Sequence, residues 1–213
     1  MKTCSVEGCD VKFFGRGYCR RHYKQFMRNG KITVGAYNKT TKNKVIDMGD
    51  HFAMELYSQA GEVICETLIS KDSYNKIKDF KWSYSQGYVA SRLKGTKRIV
   101  KLHRIITGAP DGKEVDHING LPLDNRIENL RICTTKENKF NTGVRKNNST
   151  GIRGVSYDPL RTSYKKWHAS IGVNRKIIHL GYYLTKQEAI SVRFNAEIKY
   201  YGGFSPNLSR GPQ

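Results

Sequence analysis

The chain contains no apolar run approaching the roughly 18 residues that a membrane-crossing helix needs. Its first residues, Met1-Lys2-Thr3-Cys4, lack the apolar core of a signal peptide. No basic stretch carries the bulky apolar face that would lay a helix on an anionic bilayer. A membrane partner is therefore not expected. Acidic side chains are scarce: 18 Asp and Glu stand against 38 Lys and Arg in 213 residues, a formal charge of +20. Cysteine occurs five times, an odd count, with Cys4, Cys9 and Cys19 early in the chain. That usage argues against a disulfide scaffold and for a reducing compartment, so the expected location is the cytoplasm.

The positive excess is spread along the whole length. Residues 1–31 carry 8 basic against 2 acidic groups, residues 32–150 carry 20 against 13, and residues 151–213 carry 10 against 3. A basic tail on a neutral domain would not give this distribution. A chain basic from end to end most simply tracks a polyanion, and nucleic acid is the first candidate.

One stretch organises the rest. The apolar run ending in Val115-Asp116-His117-Ile118 meets a turn at Asn119-Gly120, a polar loop follows, and Leu130-Arg131-Ile132 forms a second short apolar run. Thr134 and Glu137 then make a capping box for a helix. The expected order is strand, loop, strand, helix, with Asp116, His117, Asn129 and Asn138 at the joints. Taken singly, Asp116 and Asn119 would shape a turn and His117 would be a satisfied surface histidine. Together they suit phosphodiester hydrolysis assisted by a metal. A carboxylate and an amide oxygen are hard ligands for a magnesium-like ion, and a neutral imidazole can take a proton from water.

The segment from Lys113 through Asp124-Asn125-Arg126 and Asn129-Leu130-Arg131 to Glu137-Asn138 resembles the HNH nucleases, in particular the phage homing-endonuclease branch. Leu102-His103-Arg104-Ile105-Ile106 upstream resembles the same branch, with His103 read as a packing or phosphate-contacting histidine. The resemblance implies a ββα-metal fold binding magnesium or manganese through Asp116 and Asn138. It implies His117 as general base and Asn129 as the residue that holds the loop and orients the imidazole. It also implies a phage-encoded enzyme acting in the host cell. One such centre cuts one strand, so a monomer is expected to nick.

Before this segment, Cys4, Cys9, Cys19 and His22 offer four soft ligands within nineteen residues, enough to close a structural zinc site. A helix is expected from about residue 18 to 29, stopped by Gly30, with Cys19 and His22 on one face. Incidental thiols are the alternative. Such a small finger could touch DNA through Arg16, Arg20, Arg21 and Lys24, or pack on the next domain. Residues 31–47 read as a basic linker. Residues 48–141 read as one α+β catalytic domain, with strands near 52–57, 62–68, 88–92 and 99–102 and turns at Ala60-Gly61 and Lys94-Gly95-Thr96. A short helix should run from Ser70-Lys71-Asp72-Ser73 to near Phe80. Phe80, Trp82, Tyr84 and Tyr88 are expected in its core, Cys65 and Cys133 as buried thiols. Arg98, Lys101 and Arg104 are expected to meet DNA.

Residues 142–150 read as a second linker. Residues 151–205 should form three short strands, at 153–157, 167–172 and 177–181, and a helix opened by the capping box Thr185…Glu188. Ala189, Val192, Ala196 and Tyr200 give that helix an apolar face. Alternation turns Trp167, Ala169, Ile171, Ile178 and Leu180 inward and His168, Ser170, Ile177 and His179 outward. Arg153-Gly154-Val155, Lys166-Trp167-His168-Ala169-Ser170-Ile171 and Leu180-Gly181-Tyr182 resemble the Apetala/ethylene-response-factor domain. That resemblance implies a three-stranded sheet in the major groove, backed by one helix. Arg153, Tyr157, Arg161, His168, Ser170, Arg175, Lys176 and His179 are the groove or phosphate candidates. The overall expectation is α+β: a zinc finger at 1–30, an HNH nuclease at 48–141 and a DNA-binding sheet at 151–205. The whole reads as a homing endonuclease, with a non-catalytic DNA-binding regulator on an HNH scaffold as the alternative.

Overall fold

A computed structural model describes residues 3–6, 9, 11–30, 32, 42–58, 61–144 and 147–210. Residues 31 and 33–41 of the first expected linker, Ala60 of the expected turn, and residues 145–146 lie outside the described residues.

The N-terminal segment folds around its own sulfur atoms. Among the described residues, Cys4, Val6 and Cys19 are its buried apolar side chains, too few to hold a fold by apolar burial alone. Helix α1, Arg20–Asn29, ends at Gly30, whose φ of 67° is the left-handed conformation that glycine adopts at a helix C-terminus. Cys19 is not inside this helix. It is the extended residue just before it, with ψ 162°, while His22 sits in the first turn.

Three antiparallel strands follow as a meander: β1 (Val45–Asp47), β2 (His51–Tyr57) and β3 (Val63–Ser70). The first therefore begins inside the stretch expected to be linker. Asn43 explains why the chain is ordered there. Its amide donates to the Glu55 and Trp82 carbonyls at 2.9 and 3.0 Å and accepts from the Trp82 N–H at 2.8 Å. A 3₁₀ turn, Lys71–Ser73, leads into the short helix α2, Tyr74–Ile77. A second meander is built from β4 (Ser83–Ser85), β5 (Tyr88–Arg92) and β6 (Ile99–Lys101).

Helix α3, Leu102–Thr107, packs Leu102 and Ile106 against Leu56, Ile69, Ile77, Trp82 and Val89 in the principal core. Burying side chains of this size is worth about 1.5–3 kcal/mol each. The Trp82 indole N–H is satisfied by the Ile77 carbonyl at 3.1 Å. Tyr84, expected in this core, is 42% exposed because its strand lies at the edge of the second sheet. Cys133 is buried and Cys65 half-buried; burial raises both thiols, Cys133 to about 11.

The hairpin β7 (Glu114–His117) and β8 (Leu130–Cys133) runs into helix α4, Thr135–Phe140, giving the expected ββα order. The capping box forms in full, with Thr134 accepting from the Glu137 N–H and the Glu137 carboxylate accepting from the Thr134 N–H. The loop between the hairpin strands lies along the edge of β3. Leu68 donates to the Leu123 carbonyl and accepts from the Asn125 N–H, both at 2.9 Å, and Ile127 donates to Ser70 Oγ at 2.7 Å. Part of the second expected linker is an ordered turn, in which Asn148 Oδ1 accepts from the Thr150 N–H at 3.0 Å.

The C-terminal module is the sheet β11-β10-β9 backed by helix α5, Lys186–Tyr201. Its strands are β9 (Val155–Tyr157), β10 (Trp167–Val173) and β11 (Lys176–Tyr183). The first is shorter than expected because Gly154 adopts φ 79° and lies against β10. A Cβ there would meet the Ser170 carbonyl oxygen at 2.3 Å and Arg193 Nε at 2.6 Å. Ala169 and Ile171 are buried inward and His168 and Ser170 are half-buried, as the alternation predicts.

The helix face differs from its apolar reading. Arg193 and Glu197 are buried beside Ala189 and Ala196, and Tyr201, rather than Tyr200, is enclosed. The charges survive burial because they are paired and hydrogen-bonded. Arg193 meets Glu197 at 2.8 Å and donates to the Arg153 carbonyl, while Glu197 accepts from Ser205 and Asn207. Removing one partner from such a pair costs about 3–5 kcal/mol. The module docks on the ββα segment through Phe140 stacked on Tyr201, ring centroids 4.1 Å apart.

Candidate active site

The loop from residue 118 to 129 closes on itself before it presents anything. Asn129 Oδ1 accepts from the Asn119 N–H at 2.9 Å, and its Nδ2 donates to Asn119 Oδ1 and the Asp124 carbonyl at 3.0 and 2.8 Å. Asp124 holds Arg126 through two bonds of 2.8 Å, which keeps its carboxyl below the usual range. Asn129 thus ties the two ends of the loop together. The group at the imidazole is another one: His117 Nε2 lies 3.3 Å from Asn125 Oδ1. Asn125 stood inside the quoted motif without a role. Its sequence carried no signal for this, since its partner Thr67 lies 58 residues away.

Asp116 and His117 are each 6% exposed, which removes the surface-histidine reading. Burial lowers the His117 pKa, opposed by the Asn125 contact and the Asp116 charge, so the ring is neutral at pH 7. His103 packs edge-on against it, ring centroids 5.1 Å apart. Burial first, then His117 and the cations Lys101 and Arg104, push His103 down to about 3. His103 is therefore a neutral packing ring. Tyr88, expected in the core, instead borders this pair, 5.5 Å from His103 and 6.3 Å from His117. Lys101 Nζ lies 4.2 Å from its ring centroid.

Asp116, His117, Asn138, Asn141 and Tyr88 line one open cleft of about 260 Å³. Arg131 places Nε and Nη2 on Asp116 Oδ2 at 2.8 and 2.7 Å, leaving Oδ1 to the Asn141 amide at 2.9 Å. Asn138 donates its Nδ2 to the Glu114 carboxylate, which can only accept. Its amide orientation is thereby fixed, and the oxygen is the atom left for a cation. That bond is also the first cause holding the Glu114 carboxyl below its usual range. A carboxylate oxygen and an amide oxygen on one cleft fit a hard divalent ion with open positions. Arg131 and Asn141 carried no sequence signal, since their partners lie 15 and 25 residues away.

A larger cleft of about 570 Å³ shares Tyr88, Val115 and Asn138 with the first and is edged by Arg98 and Lys101. Arg104 lies on its wall but is committed elsewhere. Its guanidinium donates to the Lys113, Ala109 and Pro110 carbonyls at 2.7–3.1 Å, tying down the turn after α3. Arg153 donates from Nη1 to the Lys139, Phe140 and Thr142 carbonyls. On the outer face of the C-terminal sheet, His168 Nε2 meets His179 Nδ1 at 3.0 Å, and Arg161 stacks over Tyr182 at 3.7 Å. Arg175 and Lys176 are exposed at the β10–β11 turn, while Tyr157 packs on Trp167, centroids 5.0 Å apart.

Cys4, Cys9, Cys19 and His22 bring their ligand atoms within 4.8 Å of one another. Cys4 Sγ and Cys19 Sγ lie 3.2 and 3.6 Å from His22 Nδ1, and Cys9 and Cys19 are 4.0 Å apart. Tetrahedral zinc with bonds of about 2.0–2.3 Å needs ligand separations of roughly 3.5–3.8 Å, so the set fits. Burial pushes the Cys4 thiol up. Hydrogen bonds from the Cys19 backbone, His22 and the Val6 backbone outweigh that and bring it to about 6, near the thiolate a metal requires.

Residues 100–140 match the family described as HNH endonuclease. Protein 3.8 of Escherichia phage T7 is 34% identical over 84 residues, covering 39% of this chain and 65% of that protein. An uncharacterised HNH endonuclease of Acanthamoeba polyphaga mimivirus is 32% identical over 105 residues, covering 46% of this chain and 54% of its own length. The chain thus spans less than two thirds of either relative. No solved structure matches. Among the described residues, no helix is long and apolar enough to cross a membrane.

Proposed function

We propose, from the HNH endonuclease domain at residues 100–140, that this chain is a metal-dependent DNA endonuclease of the homing type. It nicks one strand of a long duplex site. The observation that carries the reading is the single cleft bordered by Asp116, His117, Asn138 and Asn141. His117 takes the proton of the attacking water, a role suited to a buried imidazole that is neutral at pH 7. Asp116 and Asn138 would hold magnesium or manganese. When bound, that ion stabilises charge on the scissile phosphate and the departing oxygen. Asn129 supports the loop, and Arg131 and Asn141 orient the Asp116 carboxylate.

The cleft edged by Arg98 and Lys101 suits the phosphate backbone. The C-terminal sheet is proposed as an Apetala/ethylene-response-factor-like module that lays His168, Ser170, His179, Arg161, Arg175 and Lys176 against DNA. Cys4, Cys9, Cys19 and His22 are proposed as a structural zinc site that folds the N-terminal finger. The viral relatives suit a phage-encoded protein working as a monomer in the host cytoplasm.

The test is conversion of supercoiled plasmid, carrying a panel of host target sequences, with magnesium or with chelator. Metal-dependent formation of open circles is expected. Direct linearisation would overturn the single-strand cut. No conversion of any target, alongside tight salt-sensitive binding, would favour the regulator.

A further inference from the structure

Which nitrogen of His117 can accept a proton depends on which one already carries it. Asn125 decides this because its amide has only one tenable orientation. Its Nδ2 donates to Thr67 Oγ1 at 2.9 Å and to the Pro122 carbonyl at 3.2 Å. The Thr67 hydroxyl proton is committed to the Leu123 carbonyl at 2.7 Å, so towards Asn125 the hydroxyl oxygen can only accept. A carbonyl can only accept as well. Turning the amide over would set its oxygen against two acceptors, with Asn125 1% and Thr67 0% exposed and no solvent to relieve them. Oδ1 therefore faces His117 Nε2, and an amide oxygen asks for a proton.

We infer that Asn125 and Thr67 are positioning residues that hold His117 as its neutral Nε2–H tautomer and leave Nδ1 as the proton acceptor. Thr67 belongs to β3, well outside residues 100–140, so the arrangement draws on an element the matched HNH segment does not contain. Backbone register fixes its distance. Leu68 next to it exchanges two hydrogen bonds with the loop, and a parallel bridge joins Leu68 to Asp124. The meander at residues 45–70 thereby becomes part of the site: it keys the imidazole through one hydroxyl and one amide. The tautomer stands on these contacts alone. Its catalytic consequence rests on the endonuclease reading.

The test uses the full chain with ¹⁵N-labelled histidine. Long-range ¹H–¹⁵N spectra at neutral pH would be recorded with His117 identified by the signals lost in His117→Gln. The wild type should show the Nε2–H pattern. Asn125→Ala should move His117 to a mixture or to Nδ1–H and slow single-turnover cleavage by about 10²-fold, in the range lost when a general base is misaligned. Thr67→Val should shift the tautomer in the same direction, and Thr67→Ser, which keeps the hydroxyl, should restore both readouts. An Nδ1–H pattern in the wild type, or an unchanged Nε2–H pattern in Asn125→Ala, would overturn the inference. Tautomer shifts as described in a protein that cleaves no DNA would overturn the endonuclease reading and leave the positioning intact.

Discussion

Two histidine pairs sit in this chain at nearly the same spacing and in opposite surroundings. His103 and His117 have ring centroids 5.1 Å apart beside the ββα hairpin, and His168 and His179 are 5.2 Å apart on the outer face of the C-terminal sheet. The first pair is buried. The second is a half-buried ring against an exposed one. Burial is the first cause of the lowered pKa at His103, His117 and His168 alike, yet only His103 falls as far as about 3. Chemistry follows from what else each pair touches. His117 adjoins a carboxylate and an amide acceptor, so it can receive a proton in a fixed direction. His168 faces His179 and Arg161, so a proton there meets other positive charge.

Breaking the support around the first pair should have the larger effects. Asn141→Ala removes the amide that binds both the Asp116 carboxylate and the His117 carbonyl. Loss of such an orienting partner should weaken manganese binding about 10–100-fold, read by titration of the paramagnetic ion. Unchanged binding would mean that Asn141 does not orient a metal ligand.

The pH dependence of stability sharpens the same contrast. His103 has a folded pKa of about 3 against an unfolded value near 6.5. Between these values the unfolded chain binds the extra proton, so stability falls as the pH drops below about 6.5. The slope from this one group is at most about 1.4 kcal/mol per pH unit. His103→Phe should flatten that limb in urea unfolding between pH 6.5 and 4.

The smallest expected effect is at the sheet. Arg161→Ala should weaken DNA binding uniformly across sequences and reduce the slope of log affinity against log salt by about 0.9, one phosphate contact. A change confined to one target sequence would instead make Arg161 a reader of bases.

Local signals were legible in the chain; distant pairings were not. The capping boxes at Thr134 and Thr185 form as written, because every partner lies within three residues. The alternation of β10 and the order of the ββα segment were readable for the same reason. Asn125 and Thr67 meet across 58 residues, and Asp116 and Asn141 across 25, so no window of sequence contains either pair. Charge shows where basic residues lie but not what they hold: Arg104 and Arg153 both donate to backbone carbonyls, contacts that a count of cations does not reveal. Arg193 and Glu197 broke the apolar face of α5 by pairing with each other, which composition does not announce.

The most direct measurement compares the two histidine pairs on one duplex substrate. Single-turnover cleavage and binding would be followed for the wild type, His117→Ala and His179→Ala at saturating protein and fixed magnesium. His117→Ala should lose about 10²–10⁴-fold in rate with its affinity retained. His179→Ala should bind more weakly yet cleave at the wild-type rate once saturated. Cleavage by His117→Ala at the wild-type rate, or loss of rate and affinity in equal proportion in both variants, would contradict the assignment of the base to the buried pair.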